Sequence, residues 1–106
     1  MPKPSALLFD LDGTLVDTRC TEELRRGRKW TECVRALGGT AVFPGIRDML
    51  RTVRADGIRV AVVTSSVSYY ALAVLRHHDL THDALVAYHD TPQHKPHPAP
   101  FLKALQ

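Results

Sequence analysis

The chain has 106 residues, 44% of them hydrophobic and 24% charged. That suffices for one small domain, is too little for two, and excludes wholesale disorder. The net charge is +3, and no apolar run approaches the roughly 18 residues that span a bilayer, so no membrane partner is expected.

Ala6-Leu7-Leu8-Phe9 is a short, continuous apolar run that ends at Asp10. It is too short for the hydrophobic centre of a secretory signal, and a cytoplasmic location is expected. Continuous rather than alternating hydrophobicity predicts a strand buried on both faces, as in a parallel sheet. Residues 21–37 read as helical, with Thr21 as cap, Glu22 and Glu23 in the first turn, and Trp30, Cys33, Val34 and Leu37 at helical spacing. Gly27 divides this pattern into two short helices, and Gly38-Gly39 ends it.

Pro44-Gly45 predicts a turn, and Ile46, Met49, Leu50 and Val53 follow the spacing of a helix packed by one face and stopped at Gly57. Ile58 to Val63 is a β-branched run, a second buried strand ending in Thr64-Ser65-Ser66. A helix follows from Ser66 or Ser68 to about His78, with Tyr69, Leu72, Ala73 and Leu75 among its apolar positions. Tyr69 and Tyr70 are expected to divide between surface and core, and Trp30 to pack beneath the short helical segment. Ala84 to Tyr88 is a weaker third strand, and the prolines of residues 94–100 exclude regular structure there. This order of strands and helices predicts an α/β fold with a parallel sheet. Ligands of such sheets bind beyond the carboxyl ends of the strands, where Asp10, Asp12, Thr64 and Lys95 all fall.

The charge is unevenly placed. Arg19, Arg25, Arg26, Arg28, Lys29 and Arg35 outnumber Glu22, Glu23 and Glu32 by three within residues 19–42, and the rest of the chain is neutral. Such a segment is either a solvated helix face or an attractor of phosphorylated ligands. No aromatic residues alternate with the arginines as a stacking platform requires, so nucleic acid is not expected as a partner. Cys20 and Cys33 read as free, structural thiols. The six histidines match no zinc-ligand spacing, although His94 and His97 flank Lys95.

Asp10 and Asp12 leave the first strand two residues apart. Two carboxylates so close repel unless a cation neutralises them, and magnesium with oxygen ligands suits that role. One carboxylate can then attack phosphorus while the other handles the proton. Taken alone, the pair could equally be two acids capping a turn, Thr64 a strand-end cap, and Lys95 a solvated loop lysine.

Together these residues carry a resemblance. FDLDGTLVDT (residues 9–18) resembles the first motif of the haloacid dehalogenase-like hydrolases, VVTSS (62–66) their second, and HKPHPAPF (94–101) their third. The resemblance implies a Rossmann-like α/β core over residues 1–18 and 43–106, three parallel strands being present, with residues 19–42 as a minimal helical cap insert. It implies Asp10 as the nucleophile that forms an aspartyl-phosphate. Asp12 would be the general acid/base and bind Mg2+ through its backbone carbonyl. Thr64 and the Ser65 N–H would hold phosphate oxygens, Lys95 would neutralise Asp10 and the transferring phosphoryl group, and Thr14 would support the site. Asp10 and Asp12 would be the metal-binding residues.

The expected function is a magnesium-dependent phosphatase of a small phosphorylated metabolite, with phosphoglycolate, sugar phosphates and nucleotides as candidates. Two alternatives remain open: a catalytically incompetent fragment of such a protein, and a carbon–halogen hydrolase, against which Asp12 speaks. So short an insert favours a larger or more exposed substrate. The family's fourth motif, which completes the metal site, does not occur before Gln106. An incomplete sheet, and self-association through the exposed edge of residues 6–10, are therefore expected.

Overall fold

The computed structural model describes residues 5–92. Its first strand, β1 (Ala6–Phe9), lies parallel to β4 (Arg59–Val63), and β4 lies parallel to β5 (Ala84–Val86), giving the sheet order β1-β4-β5. The predicted parallel sheet of three strands is therefore present. The β-branched run of β4 occupies its centre and is buried from Val60 to Val63. By contrast, all four residues of β1 are only half-buried, not buried on both faces as their hydrophobicity predicts. Among the described residues β1 is paired only with β4, so its lateral side carries no second strand.

Two helices connect and cover the strands. In α3 (Ile46–Ala55), Leu50 is buried and Ile46, Met49 and Val53 pack against the core, as the spacing predicts. Gly45 precedes it at φ +86°, a left-handed conformation that most side chains resist. α4 (Ser68–His77) buries Tyr70, Ala71, Val74 and Leu75, one stripe along its length, while Tyr69 is 56% exposed. The tyrosines thus divide as expected. Leu75 is buried as predicted, whereas the rest of the buried stripe falls on Tyr70, Ala71 and Val74 rather than on Tyr69, Leu72 and Ala73, which are exposed or half-buried.

Between β1 and α3 the chain makes a feature the sequence reading lacks. β2 (Val16–Asp17) and β3 (Ala41–Val42) pair antiparallel, Val16 with Val42 and Asp17 with Ala41. This two-residue ribbon is the base from which residues 18–40 project. Ala41 and Val42, the last residues of the 19–42 segment, form the strand that closes it. The projecting segment holds α1 (Glu22–Arg26) and α2 (Trp30–Arg35), with single 3-10 turns at Arg19–Thr21 and Leu37–Gly39. The break at Gly27 falls where expected, although Thr21 does not cap α1 with its side chain. α2 packs on α4, with the Trp30 and Tyr70 rings 5.5 Å apart and tilted by 44°. The third strand is shorter than predicted, and Tyr88–Asp90 form a 3-10 turn closed by Asp90, whose Oδ2 accepts from the Ala87 N–H at 2.7 Å. Among the described residues no helix is long and apolar enough to cross a membrane.

Candidate active site

The register of the sheet assembles the site. Phe9 pairs with Val62, so Asp10 and Thr64 leave neighbouring strands at the same, carboxyl end. The chain then turns tightly around one carbonyl: Leu11 O accepts from the N–H groups of Thr14, Leu15 and Val16 at 3.0–3.3 Å. Gly13, at φ +79°, permits this turn, and its N–H donates to Val16 O at 2.9 Å. The turn points the side chains of Leu11 and Leu15 into the core, where both are fully buried. Asp10 stays exposed and Asp12 half-buried. Thr14 lies on the exposed outer part of the turn.

The two carboxylates have different surroundings. Asp10 is exposed, and its Oδ1 accepts from the Leu11 N–H at 2.8 Å. The side chain of Asp12 is only 14% exposed and has donors on both oxygens. Its Oδ1 accepts from Thr18 Oγ1 at 2.7 Å and from the Tyr70 hydroxyl at 2.9 Å. Its Oδ2 accepts from Ser66 Oγ at 3.0 Å. The Arg25 Nε lies 3.6 Å from Oδ1. Burial pushes the Tyr70 phenol well above its ordinary range, so it remains a donor throughout the working pH range.

Thr64 and Ser65 sit beside this pair at the end of β4. Thr64 is buried; its N–H donates to Val86 O at 2.9 Å and its Oγ1 accepts from the Ser66 N–H at 3.1 Å. That bond folds the Thr64-Ser65-Ser66 turn and leaves Ser65 exposed at its tip. Two open clefts adjoin the site. One, of about 560 Å³, is lined by Asp12, Gly13, Thr18, Arg25 and Phe43 among others. The second, of about 330 Å³, lies between Ser65, Ser66 and the insert residues Arg25, Arg26, Arg28 and Trp30. Lys95, with His94 and His97, lies outside the described residues.

Sequence reading located Asp10, Asp12, Thr64 and Ser65, and the fold gathers these four. It passed over Thr18, Arg25, Ser66 and Tyr70 as partners of Asp12. Thr18 and Ser66 stand inside the quoted motifs, but nothing in their spacing shows that both aim at one carboxylate. Tyr70 reads as an ordinary apolar helix position. Both cysteines are free; Cys33 is buried and burial pushes its thiol up, so it is inert. Among the described residues no group of three or more His, Cys, Asp or Glu side chains is placed to hold a metal ion.

Comparison with known proteins identifies the family and the fold. A family profile described as haloacid dehalogenase-like hydrolase matches residues 23–106. The phosphoglycolate phosphatase of Nitrosospira multiformis is 36% identical over 69 residues, which cover 63% of this chain and 30% of that protein. The chain thus spans about a third of this curated relative. Two solved structures share the fold. CbbY from Rhodobacter sphaeroides, in complex with phosphate, superimposes with a TM-score of 0.84 at 21% identity, over 97% of this chain and 72% of its own. A HAD-superfamily hydrolase from Ehrlichia chaffeensis does so with a TM-score of 0.76 at 24% identity, over 99% and 72%.

Proposed function

This chain belongs to the haloacid dehalogenase-like hydrolase family, and from that membership we propose that it carries the nucleophile and acid/base of a magnesium-dependent phosphatase acting on a small phosphorylated metabolite. The observation that carries the reading is the contrast between two carboxylates two residues apart at one strand end. Asp10 is exposed to an incoming phosphate, while Asp12 is held by Thr18, Tyr70 and Ser66. A nucleophile needs access, and a proton carrier needs a fixed position.

In the proposed reaction an Asp10 oxygen bonds to phosphorus as the ester P–O bond breaks, and Asp12 gives its proton to the departing oxygen. Water then attacks the phosphorus of the aspartyl-phosphate. Asp12 takes a proton from that water, the bond from the Asp10 oxygen to phosphorus breaks, and phosphate leaves. Thr64 and the Ser65 N–H would hold phosphoryl oxygens, with Thr14 in support at the exposed turn. Lys95 is assigned to charge neutralisation on the resemblance alone. The donor set at the strand end is oxygen-only, which fits magnesium, an ion that keeps several waters and takes few protein ligands. The Asp10 carboxylate and the Asp12 carbonyl would hold it, and it would neutralise charge between Asp10 and the phosphate. We assign residues 19–42 as the cap, and the cytoplasm as the location. The match to a phosphoglycolate phosphatase supports a small phosphorylated acid as substrate.

The test is phosphate release from a panel of phosphorylated metabolites, with magnesium and with chelator, by the natural full-length protein and its Asp10→Asn variant. Magnesium-dependent release, lost in the variant, is the expected result. Release that is unaffected by Asp10→Asn refutes the assignment of the nucleophile.

A further inference from the structure

We propose that Tyr70 is a positioning residue for Asp12, its hydroxyl fixing the carboxylate and tying it to the helical insert through Thr21. This rests on the acid/base reading of Asp12 given above. Tyr70 is fully buried, on the first turn of α4, far along the chain from both partners. Its hydroxyl lies 2.9 Å from Asp12 Oδ1 and 3.0 Å from Thr21 Oγ1. A carboxylate only accepts, so the single phenolic proton goes to Asp12. The Thr21 hydroxyl then donates to Tyr70 or to Thr18 O, 2.9 Å away.

The surroundings of Tyr70 are built for this contact. The Trp30 ring packs against it from the insert, the centroids 5.5 Å apart. Arg25 Nε reaches Thr21 Oγ1 at 3.1 Å and lies 3.6 Å from Asp12. Thr18, Thr21, Arg25 and Trp30 thus come from the insert or its root, while Asp12, Ser66 and Tyr70 come from the core. A phenylalanine would fill the same space. Burying a hydroxyl is unfavourable unless it is bonded, and both bonds made here bear on Asp12 or on the insert above it. A proton carrier displaced by a fraction of an ångström loses rate without losing substrate affinity.

The test uses the demand for a proton. An alkoxide leaving group, as in glycerol 2-phosphate, needs the proton of Asp12; nitrophenolate from p-nitrophenyl phosphate does not. Tyr70→Phe is expected to lower kcat for glycerol 2-phosphate about 10-fold or more, with KM little changed. The burst rate of nitrophenolate release should change less than about 2-fold. Asp12→Asn should show the same split, larger. Thr21→Val, which removes the insert's bond to Tyr70 and keeps its shape, should show it in smaller measure, and it serves as the reporter if Tyr70→Phe does not fold. Equal losses on both esters, or no loss on either, overturn the assignment of Tyr70. A split in Asp12→Asn that is absent from Tyr70→Phe, or from Thr21→Val where it is the reporter, overturns that assignment alone. Absence of the split in Asp12→Asn overturns the acid/base reading, and the role of Tyr70 with it.

Discussion

Asp83 shows how one side chain joins two elements. Its Oδ2 accepts from the Val60 N–H at 2.7 Å and from Arg54 Nη1 at 2.9 Å, and its own N–H donates to Val60 O at 2.7 Å. The Val60 N–H first, and Arg54 beside it, hold its carboxyl below the ordinary value of 3.8. The unfolded carboxyl therefore binds its proton at higher pH than the folded one. The stabilisation is complete above the ordinary value and is lost as pH falls through the folded one. Asp83→Asn is expected to lower Tm at neutral pH, with the gap to the parent closing in acid; a gap independent of pH contradicts this. At the site, Asp12→Ala should lower turnover by about 10²–10⁴-fold while inorganic phosphate still binds as a competitive inhibitor. The residues proposed to bear the chemistry were legible because Asp10, Asp12 and Thr64 sit at strand ends. Their supporting partners were not, since Tyr70 and Arg25 reach Asp12 only through folding.

At the scale of the element, the insert is more than a charged face. Arg26 pairs with Glu22 at 3.0 Å, Arg28 lies 4.8 Å from the centre of the Tyr88 ring, and Arg25 faces Asp12. Arg26 and Arg28 line the cleft beside Ser65. Replacing both by Gln should raise KM for an anionic substrate about 2–5-fold at low ionic strength, the effect fading as salt screens it. Unchanged KM at low salt would make them a solvated face only. Gly45 offers a separate check on α3. An added Cβ would meet nothing within 4 Å, so Gly45→Ala bears only the backbone strain of φ +86°. It should cost about 1 kcal/mol, read as a lower Tm. The elements themselves were legible from periodicity, apart from the two-residue ribbon of β2 and β3, too short to leave a pattern, and the exact face of α4.

Across the whole molecule, stability should be graded by position in the sheet. β4 is buried and paired on both sides, whereas β1 is half-buried and, among the described residues, paired on one. Hydrogen exchange should therefore be slowest in β4 and faster in β1, and equal protection in both would contradict that order. The fold class was legible because alternating elements with strand-end polar residues admit few topologies. The four apolar residues of β1 do not by themselves announce its half-burial, because such a run looks the same at the centre of a sheet and at its side.

In the proposed reaction Asp10 takes the phosphoryl group. Rapid quenching of the natural full-length protein during turnover of a phosphate ester, followed by peptide mass analysis, tests it directly. A phosphoryl group is expected on the peptide carrying Asp10 and is expected to be absent from Asp10→Asn. Steady turnover with no such adduct, or an adduct on another residue, would contradict it.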